Sequence, residues 1–215
     1  RRRRRRPAGA PAALRGPVEA RFGPQYQAAL AAQAAAGGGE QSGPGDAELS
    51  VNWFRTLEEV RIGAGLALAL PTGEYDPGRS VDAGLGDFYT LRPSVQAAVP
   101  VGGHYVAGAR AVLGLNTRNR ENDLRSGHWA GLELAIGRRV GPVAVGVQAV
   151  RLQQIQDDGN NPFGASRYRS TQAGLFVTVE VPALGASVSL QHAATVSSRN
   201  ALHGRFTQVR LTRAF

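Results

Sequence analysis

The sequence of 215 residues contains no cysteine, no methionine and no lysine. The absence of cysteine excludes disulfide bonds, thiolate metal sites and a cysteine nucleophile. Aromatic residues make up only 7% of the chain and charged residues 19%. No run of about 18 apolar residues occurs, which excludes a transmembrane helix. A transmembrane β-barrel is compatible with these absences, because its strands carry only alternating, weak hydropathy.

The net charge of +9 is concentrated at the N-terminus. Residues 1–45 contain eight arginines, six of them consecutive, against two glutamates. Blocks of like charge normally stay solvated, and no interleaving of aromatic and basic residues typical of nucleic-acid binding follows. The sequence therefore predicts a disordered or non-native segment over residues 1–46, with a short alanine-rich helix over 25–36. It predicts the folded domain over residues 47–215 and no nucleic-acid partner.

From Glu48 onward, apolar residues alternate with small or polar ones, which is the pattern of half-exposed β-strands. Leu66 and Leu68, for example, share one face, and Gly65 and Ala67 share the other. The pattern recurs in about nine segments, the first at residues 51–57. Most are longer than strands of soluble proteins and match the length of a tilted membrane strand.

The connections between these segments alternate between tight and long. Because bacterial outer-membrane barrels have short periplasmic turns and long outer loops, this alternation favours that class over a soluble β-protein. The sequence predicts an all-β, antiparallel up-and-down transmembrane β-barrel. Since bacterial barrels normally have an even number of strands, the odd number predicts either that one strand has been missed or that the barrel is incomplete at the N-terminus. The tight connections are 101–103, 138–141 and 183–185, and the long ones are 73–87, 117–126, 156–169 and 197–204.

The small and polar face of the strands suits a hydrated interior better than a lipid surface. Charges lining a channel set its selectivity, so the polar residues of this face are candidate lumen residues. The alternative is that ion pairs between them fill a narrow barrel and close it. Aromatic residues of the same face are candidates for contacting an apolar cargo. The candidates are Arg92, Arg110, Glu133, Gln148, Glu180 and Arg210, together with Phe88, Phe176 and Phe206.

The remaining motifs predict no chemistry. The four histidines lack the spacing of metal ligands, and the Asp- and Asn-rich stretch over 156–161 is typical of a turn. We expect no metal, no cofactor and no catalytic residue. A barrel enzyme that modifies lipids through a Ser–His–Asp arrangement is kept as an alternative. The terminal Phe215 is predicted to be the signal read by the outer-membrane barrel assembly machinery.

Several segments resemble one family. These are the PTGEYDPGR stretch at 71–79, NTRNRENDLRSG at 116–127, the strand at 128–137, QQIQDDG at 153–159 and the last strand at 204–215. Together they resemble the MetA-pathway of phenol degradation family of outer-membrane proteins, over about residues 60–215. The resemblance implies a barrel in the outer membrane of a Gram-negative cell envelope, in contact with its lipids. It implies passive uptake of small hydrophobic or aromatic compounds; the alternatives are a lipid-modifying barrel enzyme and a plugged structural barrel.

Overall fold

The computed structural model describes residues 18–31, 39–76, 86–161, 166–201 and 203–213. They form one antiparallel sheet of ten strands, in which each strand pairs with the next in the chain. This order confirms the predicted all-β, up-and-down fold, and the sheet curves into a half-barrel. The strands are β1 (Val18–Ala31), β2 (Gly39–Leu57), β3 (Val60–Leu70), β4 (Thr90–Pro100), β5 (Tyr105–Asn116), β6 (Trp129–Val140), β7 (Val143–Gln154), β8 (Arg169–Val181), β9 (Ala186–Arg199) and β10 (Arg205–Arg213).

The N-terminal side of the sheet differs from the sequence prediction. The nine predicted strands correspond to β2–β10, and β1 with the first part of β2 occupies residues 18–31 and 39–46 of the segment predicted to be disordered. Residues 25–31 of the predicted alanine-rich helix are extended in β1. The physical reason is pairing, since β1 follows β2 from Val18 opposite Trp53 to Ala31 opposite Gly39. Hydrogen bonds between backbone segments that are distant in the sequence cannot be predicted from the local composition of one segment.

Tight turns and longer loops alternate along the sheet, as predicted. The tight connections lie at residues 58–59, 101–104, 141–142 and 182–185, and the longer ones at 71–89, 117–128, 155–168 and 200–204. The last loop is shorter than predicted because β9 continues to Arg199. Gly102 and Gly103 both have left-handed φ angles, of 55° and 52°, which glycine adopts without the steric cost of a Cβ atom. We call the two edges of the sheet the turn end and the loop end.

The two faces of the sheet have opposite character. The large aliphatic side chains are exposed on one face, with Leu175 at 64% and Leu211 at 73%. Buried residues lie on the other face and are small or polar, such as Ala193 at 3% exposure, Ser94 and Thr90. The small and polar face is therefore the concave, inner one, and the aliphatic face is the outer one. None of the described residues belongs to a helix long and apolar enough to cross a membrane.

Candidate functional site

Two of the predicted lumen residues form an ion pair between neighbouring strands. Arg110 of β5 lies directly opposite Glu133 of β6 on the inner face. The Nη1 atom of Arg110 is 3.0 Å from the Oε1 atom of Glu133, and its Nη2 atom donates to the hydroxyl of Ser94 on β4, at 3.4 Å. Both charged side chains stay about one third exposed, so this pair faces the concave space rather than a dry core.

A second ion pair crosses an intervening strand. Arg92 of β4 pairs with Glu48 of β2, and the two side chains are only 23% and 24% exposed. Strands β2 and β4 are two strand spacings apart, roughly 9.6 Å. The side chains can meet because β3 places Ala67 and Ala69 between them, and neither alanine extends beyond the Cβ atom. Glu48 was not among the predicted site residues, since its partner lies 44 residues away in sequence.

A third ion pair repeats this arrangement near the turn end. The predicted residue Glu180 of β8 pairs with Arg139 of β6. Ala144 of β7 lies between them, opposite Arg139 and Thr178. Arg139 was also missed by the sequence analysis. The two-residue alternation could have identified it, because residue 139 lies on the same face of β6 as Glu133.

Phe176 lies flat against the inner wall. It is directly opposite Gly146 of β7, which in turn lies opposite Gly137 of β6. A Cβ atom at Gly137 would come to 2.9 Å from the Cζ atom of Phe176, and one at Gly146 would overlap the ring. The two glycines thus form a shallow seat for the ring, which covers the backbone of two strands.

Two further aromatic rings use the same arrangement. Trp129 of β6 covers Gly114 of β5, and Phe54 of β2 covers Gly63 of β3. The guanidinium of Arg61 lies over the Phe54 ring at 4.4 Å from its centroid. The inner face therefore carries flat aromatic surfaces between its ion pairs.

The other predicted site residues are distributed differently. Gln148 of β7 is on the inner face between Ala135 and Gly174. Arg210 and Phe206 have inner-face register on the edge strand β10, where Phe206 is 40% exposed. Phe88 precedes β4 in a loop, with its ring against Gly86, so it does not lie on the wall. Phe215 lies outside the described residues.

A buried glutamine organises the loop end of the sheet. Gln154 is 2% exposed, and its Oε1 atom accepts a hydrogen bond from the backbone N–H of Tyr168 at 3.1 Å. Its amide donates to Asp158, whose Oδ1 atom also accepts from the backbone N–H of Gly127 at 2.8 Å. Burial, and to a smaller extent the charge of Asp158, raise the pKa of Tyr168 to about 12. The phenol is therefore neutral at all physiological pH values.

Contacts between loops form a continuous rim at this end. The backbones of Arg125 and Gly159 exchange two hydrogen bonds, at 3.0 and 2.8 Å, which join loop 117–128 to loop 155–168. Arg120 binds both carboxylate oxygens of Asp87 through its Nε atom, at 3.1 Å. These bonds, together with the Asn122 amide that donates to the Tyr75 hydroxyl at 3.1 Å, join loop 117–128 to loop 71–89. The resemblance of these segments to family motifs gave no indication of these contacts, because the partners are far apart in the chain.

His128 lies in this rim, directly before β6. Its Nδ1 atom accepts a hydrogen bond from the backbone N–H of Asn116 at 3.1 Å. The Nη2 atom of Arg125 is 3.2 Å from Nε2. Burial, and then the Arg125 charge, lower the pKa of His128 below its ordinary value. A second proton would break the bond to Asn116 and place two positive charges side by side.

The protein is therefore expected to lose stability on acidification through His128. Because the folded state disfavours the protonated ring, this stability is present above the unfolded-state pKa of about 6.5 and is lost as the pH falls below it. Thermal unfolding between about pH 7.5 and pH 5 measures the loss, with His128→Asn as the comparison. The amide oxygen of asparagine can accept from Asn116 without titrating, so the variant should lose less on acidification. Equal losses in both proteins would contradict the assignment.

Two comparisons with known proteins agree with this architecture. The family model for the MetA-pathway of phenol degradation matches residues 18–211. The crystal structure of an outer membrane channel from Pseudomonas putida F1 is similar with a TM-score of 0.66 at 16% identity, covering 80% of this chain and 66% of that one. The chain thus spans just under two thirds of that channel, and the likeness is one of fold. No curated protein matches the sequence. Since the family model covers most of the sequence, this chain belongs to the MetA-pathway of phenol degradation family.

Proposed function

We propose that this chain forms a β-barrel channel in the outer membrane of a Gram-negative cell envelope, through which small hydrophobic or aromatic compounds enter passively. The observation that carries the proposal is the opposite character of the two faces. The exposed aliphatic face suits contact with lipid, and the polar concave face suits a water-filled path. The family and the fold of the Pseudomonas putida F1 channel support the same function.

The proposal includes closure of the sheet. β1 and β10 are the edges of the described sheet and do not pair with each other. In a membrane, their free backbone groups must be hydrogen-bonded, because lipid offers no water to satisfy them. The working channel accordingly has both edges paired.

Transport in this proposal requires no chemistry. The three inner-face ion pairs balance their own charges, and the inner-face arginines Arg61 and Arg210 lie outside these pairs. The flat rings of Phe54, Trp129 and Phe176 offer surfaces on which an aromatic cargo can stack, an interaction that contributes roughly 0.5–1.5 kcal/mol per ring pair. At the loop end, described residues of the loops 71–89, 117–128 and 155–168 are hydrogen-bonded to one another, which favours one shape of the mouth.

Solute uptake by liposomes containing the refolded chain tests this function. We expect a small aromatic solute to enter faster than a polar solute of equal size. Replacing Phe176 with alanine should lower this ratio by about threefold, since one stacking surface is lost. Leu175→Ala is the matched control, because Leu175 is the neighbouring residue on the outer face.

Two results would overturn the channel. If neither solute enters, the inner ion pairs close the barrel and the protein is a plugged structural barrel. Release of fatty acid or another product from the vesicle lipids would instead favour a lipid-modifying enzyme. In the described residues, His192 is hydrogen-bonded to the Thr207 hydroxyl at 2.8 Å, and no carboxylate is bonded to its ring.

A further inference from the structure

The outer face carries a groove that crosses strands β5 to β9. Its volume is about 700 Å³, and it lies between two cross-strand rows of outward side chains. Consecutive members of each row are register partners on neighbouring strands. Most of the side chains that line the groove are aliphatic. The row nearer the turn end consists of Tyr105, Arg138, Val145, Val177 and Leu190, and the other of Ile136, Val147, Leu175 and His192.

One end of the groove carries a guanidinium without a carboxylate partner. Arg138 lies three residues before the turn glycine Gly141, and its guanidinium carbon is 5.8 Å from the centroid of the Tyr105 ring. Within the described part of the chain, no acidic side chain pairs with Arg138, whereas the adjacent Arg139 pairs with Glu180 on the inner face. Arginine and tyrosine near strand ends are typical of the level of lipid headgroups.

The opposite end of the groove offers no comparable charge. The Nδ1 atom of His192 is engaged by the Thr207 hydroxyl at 2.8 Å, on the same outer face. Between this end and Arg138 the side chains of Ile136, Val147 and Leu175 are aliphatic and exposed. The groove therefore combines one cationic end, at Arg138 of β6, with an apolar path that crosses β7 and β8 toward His192 of β9.

We propose that this groove binds one anionic glycerophospholipid, with a phosphate oxygen on Arg138 and an acyl chain along the aliphatic rows. A guanidinium donates two parallel hydrogen bonds to phosphate, and the apolar path removes an acyl chain from the bulk lipid without requiring any polar partner. This inference rests on the proposed function, because it needs the outer face to be in a membrane. It goes beyond that function by distinguishing one bound lipid from the general lipid surroundings.

Lipid retention tests the site. The chain is refolded into vesicles of equal parts phosphatidylglycerol and phosphatidylcholine, extracted into mild detergent and examined by native mass spectrometry. We expect one retained phosphatidylglycerol per chain. Arg138→Gln should lower the retained fraction by about tenfold, since the charged hydrogen bonds are lost. The matched control is Arg151→Gln, because Arg151 is an outward arginine of β7 at the opposite, loop end and donates to Thr171.

A second variant keeps Arg138 and fills the part of the groove proposed to hold the acyl chain. Val147→Trp occupies the middle of the groove and should also abolish retention, whereas Leu132→Trp, an outward position outside the groove, should not. If the wild-type chain and Arg138→Gln retain phosphatidylglycerol equally, the proposed site is wrong. It is also wrong if two chains associate through this face and carry no lipid. Vesicle flotation accompanies each measurement. Chains that float but retain no lipid refute the site alone, whereas chains that do not float refute the membrane function as well.

Discussion

Alanine in place of Gly127 is expected to destabilise the protein by about 3 kcal/mol, since overpacking at a rigid site is among the most costly single changes. A Cβ atom there would overlap the backbone carbonyl oxygen of Gln156 and press on the side-chain amide of Gln154. Neither of these two groups can move easily to relieve the overlap. Gln154 is the most buried large side chain described, and the backbone N–H of Gln156 is held by the carbonyl of His128 at 3.2 Å.

The loss should appear as a fall of about 6–12 °C in the midpoint of thermal unfolding, at the usual sensitivity of a chain of this size. Circular dichroism of the refolded protein in detergent measures it. Gly204→Ala is the control, because nothing lies within 4 Å of a Cβ atom at that loop position. The control is expected to stay within about 0.5 kcal/mol of the wild-type protein. A Gly127→Ala midpoint equal to that of Gly204→Ala would show that the rim at 117–128 and 155–168 does not contribute to global stability.

The second large effect concerns the ion selectivity of the proposed channel. Replacing both Glu48 and Glu133 with glutamine leaves Arg92 and Arg110 uncompensated on the inner face. Two added positive charges at roughly 8 Å from a passing ion in water change its free energy by about 1 kcal/mol. Because an anion is stabilised and a cation destabilised by this amount, the permeability ratio of anions to cations should rise about thirtyfold. The reversal potential of a planar bilayer in a salt gradient reports this ratio directly.

The matched control makes the same change of charge outside the lumen. Asp123 and Asp157 pair with Arg118 and Arg167 in exposed loops, and replacing both aspartates with asparagine again adds two positive charges. Because exposed charges are screened within about 10 Å at ordinary salt, the control should change the reversal potential much less. An equal change in both double variants would argue against Glu48 and Glu133 lining the path.

The arrangement of faces and loops could be predicted from the sequence because both are local properties. The two-residue period assigns Arg110, Glu133 and Phe176 to one face wherever their strands lie in space. Turn and loop lengths follow from where the alternation stops. For the same reason β1 was missed. Residues 18–31 contain proline, glycine and a run of alanines with no clear alternation, and they become a strand only through pairing with β2.

The partners of the site residues could not be predicted, because they depend on register between strands. Arg92 lies 44 residues from Glu48, and their contact needs both the alignment of β2, β3 and β4 and the small alanines of β3. The contacts between aromatic rings and glycines also depend on register, since Trp129 lies opposite Gly114 on the neighbouring strand. By its position in the alternation Phe88 would lie on the inner face, but it is in a loop because β4 begins only at Thr90.

Three features could be predicted from the amino-acid sequence alone. They are the assignment of residues to the inner or outer face, the up-and-down order of the strands, and the alternation of short and long connections. These follow from the two-residue period of an extended chain and from the turn chemistry of glycine and proline. The tertiary structure alone decided that the inner charges are paired across β3 and β7, that the rings lie on glycines, and that loops 71–89, 117–128 and 155–168 form one rim. Those features are contacts between residues far apart in the chain, and only the register of the assembled sheet brings them together.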